Sequence, residues 1–167
     1  VMLEDQMSPK RCGHTEGKCV VSRAEAFTKI QAAVDAIKEG APTLLMARTD
    51  SRATDGNDEA RIRARGFVEI GADVVFLEAP GSEDEMRGDC AALPASIPKM
   101  VCMNEWSGKT PFLSQAALSA IGFKIALYPI SLMNASVVAM TQMAKELKQG
   151  RGEHTLKGPC ELASPSG

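Results

Sequence analysis

The residues best able to do chemistry stand near the start of the chain, in Leu3-Glu4-Asp5-Gln6 and Pro9-Lys10-Arg11-Cys12-Gly13-His14. Two carboxylates lead into a Pro-broken basic segment that presents a thiol and an imidazole on either side of one glycine. Cys12 directly follows Lys10 and Arg11, and cationic neighbours make a thiol more reactive. Gly13 has no Cβ, so the loop is free to fold tightly or to approach another group closely. A thiol and an imidazole so placed suit proton transfer to a small anionic substrate. Such a pair also occurs incidentally in loops, and the pattern that follows it decides between the two.

That pattern is what closes each apolar run. The first run ends in Glu4-Asp5, the second in Arg48-Thr49-Asp50, the third in Glu78, the fourth in Asn104-Glu105 and the fifth in Tyr128-Pro129. In βα barrels and open α/β sheets alike, sites are built from the C-terminal edge of the strands. A strand end that meets solvent is polar anyway, so the set weighs more than any member. Carboxylates, one arginine and an amide on a common rim suit a carboxylate-bearing substrate and a divalent cation. Arginine binds a carboxylate bidentately, and carboxylate oxygens suit Mg²⁺. Cys19, Cys90 and Cys160 read as ordinary thiols, His154 falls in a tail, and the nine methionines read mostly as core filler. Trp106 serves equally as a loop anchor or a substrate contact. No G-x-G-x-x-G, Walker or G-x-S-x-G element occurs, so dinucleotide, P-loop and serine-hydrolase chemistry have no support.

The elements that must position these residues are legible as runs. Val1-Met2-Leu3, Thr43 to Ala47, Asp73 to Leu77, Lys99 to Met103 and Lys124 to Tyr128 are short and almost continuously apolar. Strands buried on both faces of a parallel sheet read this way. Between them, Phe27, Ile30, Val34 and Ile37 form one helical stripe. Asp58 to Ile70 reads as a second helix, in which Gly66 should cost about 1 kcal/mol relative to Ala. Ser82-x-x-Glu85 is a capping-box start for a third. Ser114 to Ile121 ends at Gly122 as a C-cap would, and Asn134 to Gln149 is the longest helix. Strand and helix alternate, which predicts an α/β fold with a parallel sheet over residues 1–150 and a flexible tail over 151–167.

The 167 residues suit one domain, with 44% hydrophobic and 24% charged residues, a globular composition. A net charge of −2 gives no reason to expect nucleic acid or an anionic membrane as partner. No apolar run reaches the ~20 residues of a membrane span. Five cysteines without C-x-x-C spacing suggest free thiols in a reducing compartment. The chain begins with Val1, without an initiator Met, in what reads as the middle of a strand, which suggests a fragment.

Taken together, several segments resemble the isocitrate lyase and phosphoenolpyruvate mutase superfamily. They are Leu3-Glu4-Asp5-Gln6, Pro9 to His14, Ala47-Arg48-Thr49-Asp50-Ser51, Gly71-Ala72-Asp73, Glu78-Ala79, Gly108-Lys109-Thr110-Pro111 and Tyr128-Pro129-Ile130-Ser131. In order and spacing they cover nearly the whole chain to about residue 150. Thr15-x-Gly17-Lys18 and Gly108 to Pro111 look most like the branch of the petal death protein and the carboxyvinyl-carboxyphosphonate phosphorylmutases.

The resemblance implies a (β/α)8 TIM barrel of the phosphoenolpyruvate-binding type, with only strands four to eight in this chain. Five strands cannot close an eight-stranded barrel, which needs ~250 residues in all, so an open sheet edge and an incomplete site are expected. By position, Cys12 matches the catalytic thiol of the lyase branch, on a mobile gating loop, and His14 and Glu78 join it as catalytic. Gly13, with His14, matches residues at the substrate carboxylate, and Arg48 matches the substrate-binding arginine. Glu4 matches a carboxylate that holds Mg²⁺ (Mn²⁺ as the alternative) through water. The direct metal ligands of the family fall in a part with no counterpart here. The family asparagine at the end of the seventh strand falls on Cys102, with Asn104 two residues on as the alternative substrate contact.

The implied activity is Mg²⁺-dependent cleavage of a carbon–carbon bond in small 2-hydroxy or α-oxo dicarboxylic acids: isocitrate-, methylisocitrate-, malate- or oxaloacetate-like. The phosphonate-forming mutases lack the cysteine loop, so Cys12 favours the lyase. Phosphonomutase or oxaloacetate hydrolase activity is the alternative, and a non-catalytic remnant that binds a carboxylate or a partner is a third. A small carboxylic acid as substrate, a homotetramer for the complete enzyme and a cytoplasmic location complete these expectations.

Overall fold

The computed structural model describes residues 1–13, 15–40, 42–105 and 108–151. His14, Trp106, His154 and Cys160, and all but the first residue of the tail read over 151–167, lie outside the described residues. The chain divides into two units, Val1–Pro129 and Ile130–Gly167.

In the first unit five strands pair in parallel, in the order of the sequence: β1 (Met2–Glu4), β2 (Met46–Thr49), β3 (Val74–Leu77), β4 (Lys99–Cys102) and β5 (Ile125–Leu127). Helices α1 (Arg23–Lys38), α2 (Arg52–Asp55), α3 (Asn57–Ile70), α4 (Glu83–Ala91) and α5 (Gln115–Ile121) connect them. Each strand lies beside the one before it, with no reversal of order. That is the progression of a βα barrel; a doubly wound sheet reverses at a switch point. The partial barrel read from the sequence is the fold observed. Among the described residues β1 and β5 pair on one side only, and Val1, Met2, Ile125 and Leu127 at these edges are exposed.

Successive residues of a strand face opposite sides of the sheet, and that alternation sorts the core from the site. Val75 and Leu77 pack with Ala60, Ala64 and Leu93, while Ala47 joins Ile30, Val34, Leu45 and Phe67. Phe76, Met100 and Cys102, with Met46 against them, form a separate cluster on the other face. The chemistry-bearing side chains Glu4, Arg48 and Glu78 share the parity of this second set.

Serines start three helices: Ser22, Ser82 and Ser114 accept from the backbone N–H of Glu25, Glu85 and Ala117. At Ser82 the glutamate half of the capping box is diverted, because Glu85 Oε2 accepts from Gly81 N at 2.6 Å and from Arg52 Nε at 2.8 Å. The short α2 was not expected; it is one turn long, and Gly56 at φ +93° separates it from α3.

Gly66 reverses the propensity argument. A Cβ there would lie 2.3 Å from Phe27 Cζ, and Phe27 stands edge-to-face on Phe67 with ring centroids 5.9 Å apart. Glycine lets α1 approach α3, so alanine would overpack this contact instead of stabilising the helix.

In the second unit α6 (Ser131–Lys148) begins three residues earlier than read and ends at Gly150, φ +69°. Lys145 and Lys148 complement its C-terminal dipole. Among the described residues no helix is long and apolar enough to cross a membrane.

Candidate active site

The Cys12 segment is a closed loop between β1 and α1. At its base Val21 N donates to Asp5 O at 2.8 Å and Met7 N to Cys19 O at 2.9 Å, and Gln6 and Val20 form an isolated antiparallel bridge. The Gln6 amide clamps one limb at two points: Nε2 donates to Arg11 O and Oε1 accepts from Arg11 N, both at 2.9 Å. Thr15 N and Thr15 Oγ1 both donate to Cys12 O at 2.9 Å. These bonds leave Cys12 exposed and turn Gly13 inward, where it is buried.

Gly13 rests directly on the rim. A Cβ on it would stand 2.1 Å from Glu78 Oε1 and 2.5 Å from Arg48 Nη2. Beneath it Arg48 is the hub. Its Nε and Nη2 donate to the two oxygens of Asp50 at 2.8 and 2.9 Å, a bidentate pair. Nε is also 3.2 Å from Glu4 Oε2, Nη2 is 3.7 Å from Glu78 Oε1, and the guanidinium carbon lies 5.1 Å from the centre of the Phe76 ring. Glu4 is shared with Lys10, whose Nζ is 2.9 Å from Oε1. Lys18 reaches in from the far limb of the loop, donates to Gly13 O and lies 3.4 Å from Asp50 Oδ1.

Burial alone would lower the pKa of Arg48, but Asp50, Glu78 and Glu4 together raise it above the ordinary arginine value. Glu78, only 3% exposed, moves upward: burial is the main cause, aided by Asp50 and Glu4, against the opposing charges of Arg48 and Lys18. Burial first, and then Glu78, push the Cys102 thiol up to about 11, with Cys12 a further cause in the same direction. Cys102 is therefore a neutral, apolar wall beside Glu78 at neutral pH. Glu78 and Cys102 each stand two residues beyond the paired Phe76 and Met100, so they are neighbours on one face.

The structure thus gathers Glu4, Gly13, Arg48 and Glu78, with Cys12 on the loop that covers them. Cys102 reaches this face from within β4, whereas Asn104 is half-buried beyond the strand end. Asp5 departs from the shared rim read for it. As the next residue after Glu4 it turns to the opposite face, where it accepts from Thr49 Oγ1 at 2.6 Å, Asp50 N at 2.9 Å and Arg63 Nη1 of α3 at 3.2 Å. Two contributors were not singled out by sequence: Asp50, which holds Arg48, and Lys18. Asp50 had a signal in its place at a strand end, whereas Lys18 had none beyond its motif.

These residues alone do not make a Mg²⁺ site. Among the described residues no three His, Cys, Asp or Glu side chains are grouped to hold a metal ion. Glu4, Asp50 and Glu78 each already face a cation, Glu4 both Lys10 and Arg48.

Comparison with known proteins places this geometry. The family profile of phosphoenolpyruvate phosphomutase matches residues 1–148. A 2,3-dimethylmalate lyase of Eubacterium barkeri is 40% identical over 149 residues, covering 89% of this chain and 50% of that protein. A 2-methylisocitrate lyase of Bacillus subtilis strain 168 is 37% identical over 167 residues, covering 97% of this chain and 53% of the relative. Among solved structures, oxaloacetate acetylhydrolase in complex with the inhibitor 3,3-difluorooxalacetate superposes with a TM-score of 0.83 at 32% identity, over 98% of this chain and 54% of that one. The chain spans about half the length of the curated relatives it matches. With the profile match running from β1 through α6, the chain belongs to the phosphoenolpyruvate phosphomutase family, within the isocitrate lyase and phosphoenolpyruvate mutase superfamily.

Proposed function

We propose that, within a complete barrel, this chain carries the covering loop and the substrate arginine of a carbon–carbon lyase for small 2-hydroxy or α-oxo dicarboxylic acids. The observation that carries the reading is the seat of Gly13 on Arg48 and Glu78, which holds the thiol-bearing segment over the rim arginine Arg48. The relatives named as 2,3-dimethylmalate and 2-methylisocitrate lyases support the reaction class.

The roles follow from the geometry. A substrate carboxylate reaches Arg48 when the loop lifts Gly13 from the rim, competing there with Glu78, whose pair is long at 3.7 Å, and leaves the bidentate Asp50 undisturbed. Burial raises the pKa of Glu78, so among the carboxylates around Arg48 it is the one most readily neutralised when a second negative charge arrives. A base outside the described residues takes the substrate hydroxyl proton, the C–C bond breaks, and that oxygen becomes a carbonyl. The carbanion left behind takes a proton from the Cys12 thiol, and the thiolate recovers one from solvent. Closure of the loop keeps water from the carbanion. A Mg²⁺ requirement (Mn²⁺ as the alternative) enters the proposal only through ligands other than these residues, and the steps assigned to them do not pass through it.

The test is a panel of isocitrate-, malate-, oxaloacetate-like and phosphonate substrates on the complete protein, with Cys12→Ser beside the native residue. General-acid loss should lower kcat by about 10²–10⁴-fold with little change in KM. Unchanged C–C cleavage in Cys12→Ser would remove the thiol from the mechanism. Turnover of the phosphonate alone would make the protein a mutase.

A further inference from the structure

Lys18 is a buried cation that the steps above do not use. Its side chain is 4% exposed, an environment in which lysine is rare unless paired. It stands on the loop itself, and its ammonium donates to the carbonyl of Gly13 and faces Asp50 Oδ1. Asp50 is fully buried, its carboxylate bound by Arg48 at both oxygens and its backbone N–H bound by Asp5. One end of the clasp is therefore the immobile rim of the sheet, and the other is the backbone next to Cys12. The bonds Gln6 to Arg11, Met7 to Cys19 and Thr15 to Cys12 tie the loop to itself, and Lys10, whose side chain is 62% exposed, adds only a solvent-screened pair with Glu4 of the rim.

We propose that Lys18 is a positioning latch, whose ammonium fastens the Cys12–Gly13 segment down onto the Asp50–Arg48–Glu78 rim. A compact ammonium on a flexible stem can bond a carbonyl and a carboxylate at once. Release breaks one charge-assisted hydrogen bond and leaves Asp50 still paired with Arg48, so the loop lifts while the sheet stays intact. Only the consequence for turnover rests on the lyase reading; the latch itself does not.

Hydrogen exchange on this chain tests the latch without any substrate. In Lys18→Met, peptides covering residues 8–19 should exchange at least about tenfold faster, the loss of one hydrogen bond to a charged group, while peptides of β2, β3 and β4 keep their native rates. Lys18→Arg, which keeps the charge, should recover part of that protection. Native exchange of the loop in Lys18→Met would overturn the latch. So would faster exchange across the sheet as well, because Lys18 would then be a cation of the fold. In the complete protein the same variant should lower kcat by tenfold or more, through the misplaced Cys12. A chain that exchanges as expected yet cleaves no substrate of the panel keeps the latch and loses the lyase.

Discussion

Asp5→Asn should lower the unfolding free energy by about 3 kcal/mol, read as a fall in the urea midpoint at an unchanged m-value. Asp5 is 2% exposed and serves three donors: Thr49 Oγ1, Asp50 N and Arg63 Nη1. Arg63 is itself buried and donates from the same nitrogen to Val21 O at 2.9 Å, so this cluster joins β1, the closing limb of the loop, β2 and α3. An amide keeps one acceptor but turns an N–H₂ toward one of the donors and leaves Arg63 without its buried counter-charge. Glu59, 2.8 Å from Arg63 Nε, remains as partial compensation, which sets the expected loss at the low end for a broken buried pair. Thr49→Val should cost about 1 kcal/mol, because it removes a single hydrogen bond. A loss for Asp5→Asn no larger than that for Thr49→Val would mean that Asp5 is not the keystone of this cluster. The change also reaches the site, since the bond from Asp50 N is what aims the Asp50 carboxylate at Arg48.

Much of this arrangement was legible in the chain. Short, continuously apolar runs closed by Glu4, Arg48-Thr49-Asp50 and Glu78 placed the parallel strands and the rim. The period of two carried further than it was taken: Glu4 and Asp5 are adjacent, so they cannot both face the rim, and Asp5 turns to Arg63 on the helix side. The same rule puts Cys102 in line with Met100 on the site face. What remained hidden depends on contacts between distant positions. Lys18 meets Asp50 across 32 residues, and nothing local marks that pairing. The penalty assigned to Gly66 was a helix propensity overruled by Phe27 on another helix. The single turn of α2 is too short to carry a periodic signal.

Gly13→Ala should abolish most turnover while barely changing stability, because its Cβ has nowhere to go except by lifting the loop. The groups it would strike are side-chain ends, which ordinarily give way. Here they are held: Glu78 is buried, and Arg48 is fixed by Asp50 at both oxygens, by Glu4 and by the Phe76 ring. The loop is the softer partner, since its self-contained bonds survive a rigid lift and, among the described residues, the Lys18 clasp and the exposed Lys10–Glu4 pair are what must open. Displacement of the thiol by about 1 Å costs on the order of 10²-fold in rate, so kcat/KM of the complete protein should fall by about that factor. The thermal midpoint should stay near that of the native chain. Because Gly13 and Lys18 act on the same closure, the two changes should not add: once Gly13→Ala has lifted the loop, Lys18→Met has little left to release. Additive losses in the double variant would mean that glycine and lysine act separately, the first on the substrate pocket and the second on the fold. A Gly13→Ala protein with native turnover would show that the rim yields to the loop, and that the seat of Gly13 on Arg48 and Glu78 does not position Cys12.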